Sequence, residues 1–392
     1  MTTSGETRSV SAARLPEIDR LRGLVMILMA LDHVRDFFDA DAMRFSPTDL
    51  TQTYPALFLT RFVTHYCAPT FVLLAGVSAY LQGQGRRSPR ELSRFLLTRG
   101  LWLIALELFV ISPVWTLQFG KFELGTLWAI GCGLIALAAL SRLPAHVVFW
   151  LGAAVVVGHN LFDGVHAADL GAWGPFWSLL HEPGSLPFGL PGGVLYPALP
   201  WIGIMSLGYG LGPLFLAPVA ERDRLLTVLG LAAIAVFALL RWGNIYGDPK
   251  PWSVQKDWVF SALSVLNVTK YPPSLLYALV TLGPALIVLP RLSRLPSVLG
   301  DVLCVFGRVP MFFYVLHLYG ALAAAFALEF ARGFSLAEMA EFAAKGAPPQ
   351  NFGLGLAGAY VAWALLVSAL YPLCRRFAAL KARRRDWWLG YL

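Results

Sequence analysis

Apolar runs of about twenty residues recur from Leu21 to Cys374, separated only by short polar breaks. A bilayer core of ~30 Å needs about 20 apolar residues to cross it as a helix. Inside that core every backbone N–H and C=O has to find its partner within the segment. A chain with many such runs is therefore expected to fold as an all-α, polytopic transmembrane helical bundle. The runs place spans at about Leu21–Phe38, Leu57–Leu81, Leu101–Leu117, Leu124–Leu140, Val147–Phe162, Tyr196–Leu216, Leu225–Trp242, Pro273–Leu289, Leu303–Phe330 and Leu354–Cys374, about ten in all. Only 14% of residues are charged, against about 25% in a water-soluble domain. The expected layout is a cytoplasmic tail at 1–20, the bundle at 21–374 and a basic cytoplasmic tail at 375–392.

The basic residues give the orientation. Segments 1–22, 82–100, 141–146, 217–224, 290–302 and 375–392 hold 20 of the 31 Lys and Arg. Cytoplasmic loops carry such an excess, which predicts both termini on the inner side. A net charge of +8 distributed in this way reflects membrane topology and gives no nucleic-acid-binding patch. The first apolar stretch ends in Asp32-His33-Val34-Arg35-Asp36, unlike a cleaved signal peptide. Cys67, Cys132, Cys304 and Cys374 lie in separate apolar segments without paired spacing. They read as small buried hydrophobes, and neither a disulfide framework nor a metal is expected. No Walker loop, dinucleotide fingerprint or His-Glu-x-x-His occurs.

Ionisable residues within spans are costly to insert, so each is a functional candidate. Arg22 stands at the inner end of the first span and Asp32-His33 in its outer third. At ~1.5 Å per residue the two ends lie about 16 Å apart. The second span opens with Arg61, His65 and Tyr66. His33, Arg61 and His65 are thus expected at similar depth around one polar pocket, with His33 suited to general-base work. Asp32 points about 100° away from His33 on a helix, where it can neutralise Arg61. Glu107 and His317 fall near the middle of their spans, each a catalytic candidate or a satisfied buried hydrogen bond. Arg86, Arg87, Arg90, Arg94 and Arg99 flank an inner loop, which suits topology or a phosphate-bearing donor such as a coenzyme A thioester. The outer segments Asp163–Val194 and Gly243–Tyr271 combine Trp173, Trp177, His181, Glu182, Asp248, Trp252 and Asp257. They read as interfacial loops or a sugar-binding face.

The first helix, Ile18-Asp19-Arg20-Leu21-Arg22-Gly23 followed by Met26, Met29 and Asp32-His33, resembles the opening of transmembrane acyltransferases. The likeness is to bacterial relatives of heparan-alpha-glucosaminide N-acetyltransferase. It continues at Thr60-Arg61-Phe62, Cys67-Ala68-Pro69-Thr70-Phe71 and Leu74-Ala75-Gly76-Val77-Ser78. It returns at Lys270-Tyr271-Pro272-Pro273-Ser274-Leu275 and at Phe312-Phe313-Tyr314-Val315-Leu316-His317. The spacing of Arg22 and His33 is similar to that of the acyltransferase-3 group. The resemblance implies transfer of an acyl group, usually acetyl, from cytoplasmic acetyl-CoA or another acyl-CoA to a carbohydrate acceptor at or beyond a bacterial inner membrane. A homodimer is compatible with it.

Under that reading His33, Asp32, Arg61 and His65 are the catalytic candidates. Lys270, Tyr271, Ser274 and His317 would hold the acceptor, and Arg22, Arg86, Arg87, Arg94 and Arg99 the donor's phosphates. The competing classes are a proton-coupled transporter or flippase using His33, His65 and His317 as a relay, and a non-catalytic acyl-CoA-binding subunit. No repeated halves or paired broken helices, which many transporters have, are visible in the sequence.

Overall fold

The computed structural model of the chain describes residues 15–84, 88–346, 348–384 and 386–390. Eight of the described helices are long and apolar enough to cross a membrane. We label them together with the helix that precedes them and one shorter apolar helix. In chain order they are α1 Pro16–Phe38, α2 Pro55–Gly83, α3 Pro89–Thr116, α4 Thr126–Leu140, α5 Ala145–Phe162, α6 Ala198–Leu216, α7 Val219–Gly243, α8 Leu275–Arg294, α9 Pro310–Ala331 and α10 Leu356–Arg383. The protein is an all-α, polytopic helical bundle.

α1 is long enough to span but carries Glu17, Asp19, Arg20, Arg22, Asp32, Arg35 and Asp36 among its apolar residues. Such a helix is tolerable only if its charges face protein, and this one sits inside the bundle. It packs on α2, α9, α10 and the short helix Ser297–Arg308, with Glu17, Asp19, Asp32 and Arg35 all buried. Lipid-facing surface falls instead on α7 and α10, which expose Leu231, Leu239, Val361 and Leu365. Several termini differ from the sequence expectation. α1 starts at Pro16 and α10 runs past Cys374 to Arg383. The run read as one span at Leu303–Phe330 is two helices, Ser297–Arg308 and α9. Between them Val309 leaves helical geometry before Pro310, whose ring disfavours helix in the residue before it.

Two further prolines shape the site. Pro69 cannot donate to the carbonyl four residues back, and α2 opens into a turn at His65–Tyr66. The freed His65 carbonyl accepts a hydrogen bond from the Tyr277 hydroxyl at 2.8 Å. In α3, Pro113 lies just beyond a π turn at Glu107–Ile111, a local widening that helices commonly place at functional sites. A small sheet joins two loops on that side. Strand β1, Phe122–Leu124, pairs in parallel with β3, Gly192–Val194, and β2, Gly184–Ser185, pairs antiparallel with β3.

Helix crossings use small residues, as expected where lipid supplies no hydrophobic drive and backbones have to approach closely. A methyl on Gly76 would overlap the Met205 carbonyl, and one on Gly208 the Leu73 carbonyl, so α2 and α6 touch backbone to backbone. Gly208→Leu is expected to separate these helices and to abolish the folded, monodisperse protein in size-exclusion chromatography. A surface change such as Leu365→Ala on α10 should leave the elution profile unchanged.

Candidate active site

The stripe Arg22, Met26, Met29, His33 follows helical spacing along one face of α1. A cavity of about 310 Å³ is lined by the first three of these. Arg22, Arg99, Arg308 and Lys381, with the amide of Gln82, line it with polar and charged groups. Met26, Met29, Phe71, Leu127 and Met311 make apolar walls, and Thr126 and Tyr314 close the far end. Arg22 is held by Ser78 Oγ at 3.0 Å and by Asp19 Oδ1 at 3.2 Å. Close packing of Gly307 against Asp19 and of Gly23 against Leu303 sets this end of α1 in place.

His33 lines neither cavity directly: it is half-buried, with its ring 6.1 Å from that of Tyr314, which lines the first cavity, and 5.1 Å from that of Trp115. Trp115 stacks on Phe37 and lines a second cavity, of about 250 Å³, on the other side. Asp36, Phe37, Trp115, Phe326, Phe342 and Phe352 contribute its walls. Aromatic faces beside a carboxylate make a surface that suits a sugar ring. His33 thus touches one lining residue of the cation-lined cavity, Tyr314, and one of the aromatic cavity, Trp115.

The tautomer of His33 follows from its partners. His317 is fully buried on α9, and its Nδ1 lies 2.9 Å from the Phe313 carbonyl. A carbonyl only accepts, so Nδ1 of His317 donates and its Nε2 carries a lone pair. That lone pair is 2.7 Å from His33 Nδ1, which therefore donates. His33 Nε2 is left with the lone pair, the form required of a base or nucleophile. His317 lies behind His33 and lines neither cavity.

Beside His33 is a compact charge cluster. Asp32 pairs with Arg61 at 2.5 Å and with Arg35 at 2.8 Å, and accepts from Thr64 Oγ1 at 2.6 Å. Arg35 pairs also with Asp36 at 2.6 Å, and Arg61 reaches the Tyr271 hydroxyl at 3.3 Å. Asp32 faces these guanidiniums and leaves the orientation of His33 to His317. Lys270 is buried between the rings of Tyr196 and Tyr271, 5.9 and 5.1 Å from their centroids. Among the described residues it has no carboxylate within ion-pair distance. Burial raises the pKa of the Tyr271 phenol, but Lys270 and Arg61 outweigh it and hold the group below its ordinary value.

The other residues singled out in sequence occupy different places. His65 packs on Phe62 and Tyr277 and makes no hydrogen bond or ring contact with His33. Ser274 caps α8 by accepting from the Tyr277 amide at 3.0 Å, and donates to Asp248 at 2.7 Å. Arg94 is exposed and does not line the first cavity. Arg86 and Arg87 lie outside the described residues. Trp177 stacks on His181, and Glu182 accepts from the Ala167 amide, so these loop residues hold the loop and line neither cavity.

Glu107 proves to be a cap. Its Oε2 accepts from the Leu127 amide at 2.6 Å and the Trp128 amide at 3.1 Å, at the N-terminus of α4. That position satisfies orphan amides at the helix N-terminus. Glu107→Ala is expected to cost about 1–3 kcal/mol, the penalty for stranding buried donors. The measurement is thermal unfolding in detergent, with Glu107→Gln falling between the two.

The sequence reading missed Arg35, Trp115 and the aromatic second cavity. Arg35 was legible, three residues from Asp32 on the same helix. Trp115 carried no signal, because only the π turn and the crossing of α3 over α1 bring it to His33.

A sequence model of the family described as heparan-alpha-glucosaminide N-acetyltransferase, catalytic, matches residues 14–243, more than half of the 392-residue chain. That stretch includes Arg22, Asp32, His33, Arg61, Arg99 and Trp115. No curated protein matches the chain.

Proposed function

This chain belongs to the heparan-alpha-glucosaminide N-acetyltransferase catalytic family, and on that footing we propose how its two cavities divide a membrane-embedded acetyl transfer to a sugar. The donor is acetyl-CoA, entering at the mouth formed by Arg22, Arg99, Arg308 and Lys381. Guanidinium and ammonium groups suit its phosphates. Its thioester arm lies along Met26, Met29 and Met311 toward His33. The acceptor sugar occupies the aromatic cavity. The observation that carries this reading is a half-buried histidine, its tautomer fixed by His317, in ring contact with Tyr314 of the first cavity and Trp115 of the second.

In the direct route His33 Nε2 takes the proton from the acceptor amine or hydroxyl as it attacks the thioester carbonyl. The tetrahedral oxyanion is stabilised by positive charge from Lys270 or Arg61 and by the Tyr314 hydroxyl, which has no hydrogen bond among the described residues. Collapse breaks the carbon–sulfur bond, and the proton on His33 passes to the departing thiolate. The alternative route places the acetyl group first on His33 Nε2 and then transfers it. With the cation mouth on the cytoplasmic side, as the arginine distribution predicts, donor and acceptor approach from opposite faces of a bacterial inner membrane.

The test is release of free thiol from acetyl-CoA when a glucosamine-bearing acceptor is supplied to the reconstituted protein. Arg22→Gln with Arg99→Gln is expected to weaken calorimetric binding of acetyl-CoA by about 10-fold or more, as loss of two charge-assisted contacts implies. No saturable binding by folded wild-type protein would remove the donor assignment.

A further inference from the structure

Away from the two cavities, the start of the loop after α5 gathers His159, Asp163 and His181. His159 and His181 are each 2% exposed. Three groups with lone pairs surround Nε2 of His181. They are the His159 carbonyl at 2.8 Å, His159 Nδ1 at 3.3 Å and Asp163 Oδ1 at 3.9 Å. One proton on Nε2 serves the carbonyl, is at best shared with His159 Nδ1 and leaves the carboxylate beyond hydrogen-bond reach, whereas a cation in its place draws on all of these electron pairs. We propose that His159 Nδ1, His181 Nε2 and Asp163 Oδ1 bind one divalent metal ion of the zinc class.

The geometry and the surroundings fit that class. Zinc bonds of ~2.0–2.2 Å in tetrahedral arrangement put ligand atoms roughly 3.3–3.5 Å apart. The imidazole nitrogens already stand at 3.3 Å, the carboxylate is 3.9 Å from His181 Nε2, and all three groups offer ligand atoms within 4.8 Å of one another, so the carboxylate has to close on the ion. The second carboxylate oxygen of Asp163 is held by Asn160 Nδ2 at 2.8 Å, the outer-shell restraint that orients a ligating carboxylate. Trp177 stacks on His181 and Phe162 packs edge-on against it, which shields the cluster. Imidazole–carboxylate donor sets favour zinc and its neighbours over the all-oxygen shells of calcium or magnesium.

The position explains what such an ion would do. His159 and Asp163 lie one turn apart at the end of α5, and His181 follows the short helix Gly174–Leu180. An ion there would pin the loop 163–194 to α5. Asn160 also accepts from the Leu275 amide at 2.9 Å, and Asp248 accepts from the Thr269 amide and the Ser274 hydroxyl. The ion would therefore brace the segment that presents Lys270 and Tyr271. Its role is structural, with the His159 carbonyl, 2.8 Å from His181 Nε2, the nearest group for the fourth position.

The experiment strips the full-length, detergent-purified protein with chelator and titrates it with Co²⁺, read by visible absorption, and with Zn²⁺, read by elemental analysis. One ion per chain with a tetrahedral cobalt spectrum is expected. His181→Ala and the milder Asp163→Asn should weaken it at least about 10-fold, as loss of a ligand or its support does. His166→Ala, a neighbouring histidine paired with Glu182, should leave it unchanged. Folded wild-type protein that takes up no stoichiometric ion overturns the site, as does undiminished binding in Asp163→Asn. Neither outcome depends on acetyl transfer, so the proposed function stands or falls separately.

Discussion

Replacing His33 by alanine is expected to lower acetyl transfer about 10²–10⁴-fold, the range over which a positioned general base acts. Binding of acetyl-CoA should be unchanged, because the residues at the cavity mouth that would hold its phosphates remain in place. The deficit should therefore fall on kcat and spare donor affinity. His317→Ala separates the positioning role from the chemical one. Without the lone pair of His317 Nε2 to accept from it, His33 Nδ1–H loses the partner that fixes its tautomer. The rate should fall by less than in His33→Ala, and His317→Gln, which can still offer an acceptor, should recover part of it. The measurement is thiol release at saturating donor, paired with calorimetric binding in the same preparations. Wild-type turnover in His33→Ala would end the mechanism. Thiol release by the wild-type protein also distinguishes an acyltransferase from a carrier, which translocates its substrate without consuming thioester.

The bundle was legible because membrane insertion constrains sequence strongly. Runs such as Leu225–Trp242 and Leu354–Cys374 have to be apolar across the whole hydrocarbon thickness. The stripe from Arg22 to His33 was legible for the same reason, since charge placed in a span has to be functional or paired. Asp32 as a partner for Arg61 followed from the 100° helical step, and the structure places the pair at 2.5 Å. What stayed hidden depends on contacts between distant segments. His317 stood out by its depth, but its place behind His33 depends on the rotation of α9 about its axis. The break at Val309–Pro310 that starts α9 reads in sequence as one long span. The second cavity is assembled from α1, α3, α9 and the helix Leu336–Lys345, and no periodicity in any one of them announces it. The His159–Asp163–His181 cluster was equally opaque, because its third member arrives from across a loop.

Asp32→Asn should be among the most destabilising conservative changes in the protein. Asp32 is the carboxylate that Arg35 and Arg61 share, with Lys270 close by. Removing one partner from a buried ion cluster costs about 3–5 kcal/mol, because the remaining charges keep their desolvation penalty and lose their attraction. Here the loss leaves Arg61, among the described residues, with only the Tyr271 hydroxyl at 3.3 Å, while Arg35 retains Asp36. Arg61→Met in the same background removes the stranded guanidinium and fills its space with apolar atoms. The double variant Asp32→Asn with Arg61→Met is therefore expected to be more stable than Asp32→Asn alone, a non-additivity that reports direct coupling. Thermal midpoints in one detergent, taken across the four members of the cycle, measure it. Additive effects would mean that the pair does not hold the α1–α2 register. The same cycle bears on chemistry, because the His33–His317 hydrogen bond is built from α1 and α9 and does not pass through Arg61. If the double variant folds and retains most of its kcat, Asp32 is an electrostatic anchor. If it folds and is as inactive as His33→Ala, the charge cluster itself takes part in the transfer, and the oxyanion falls to Arg61.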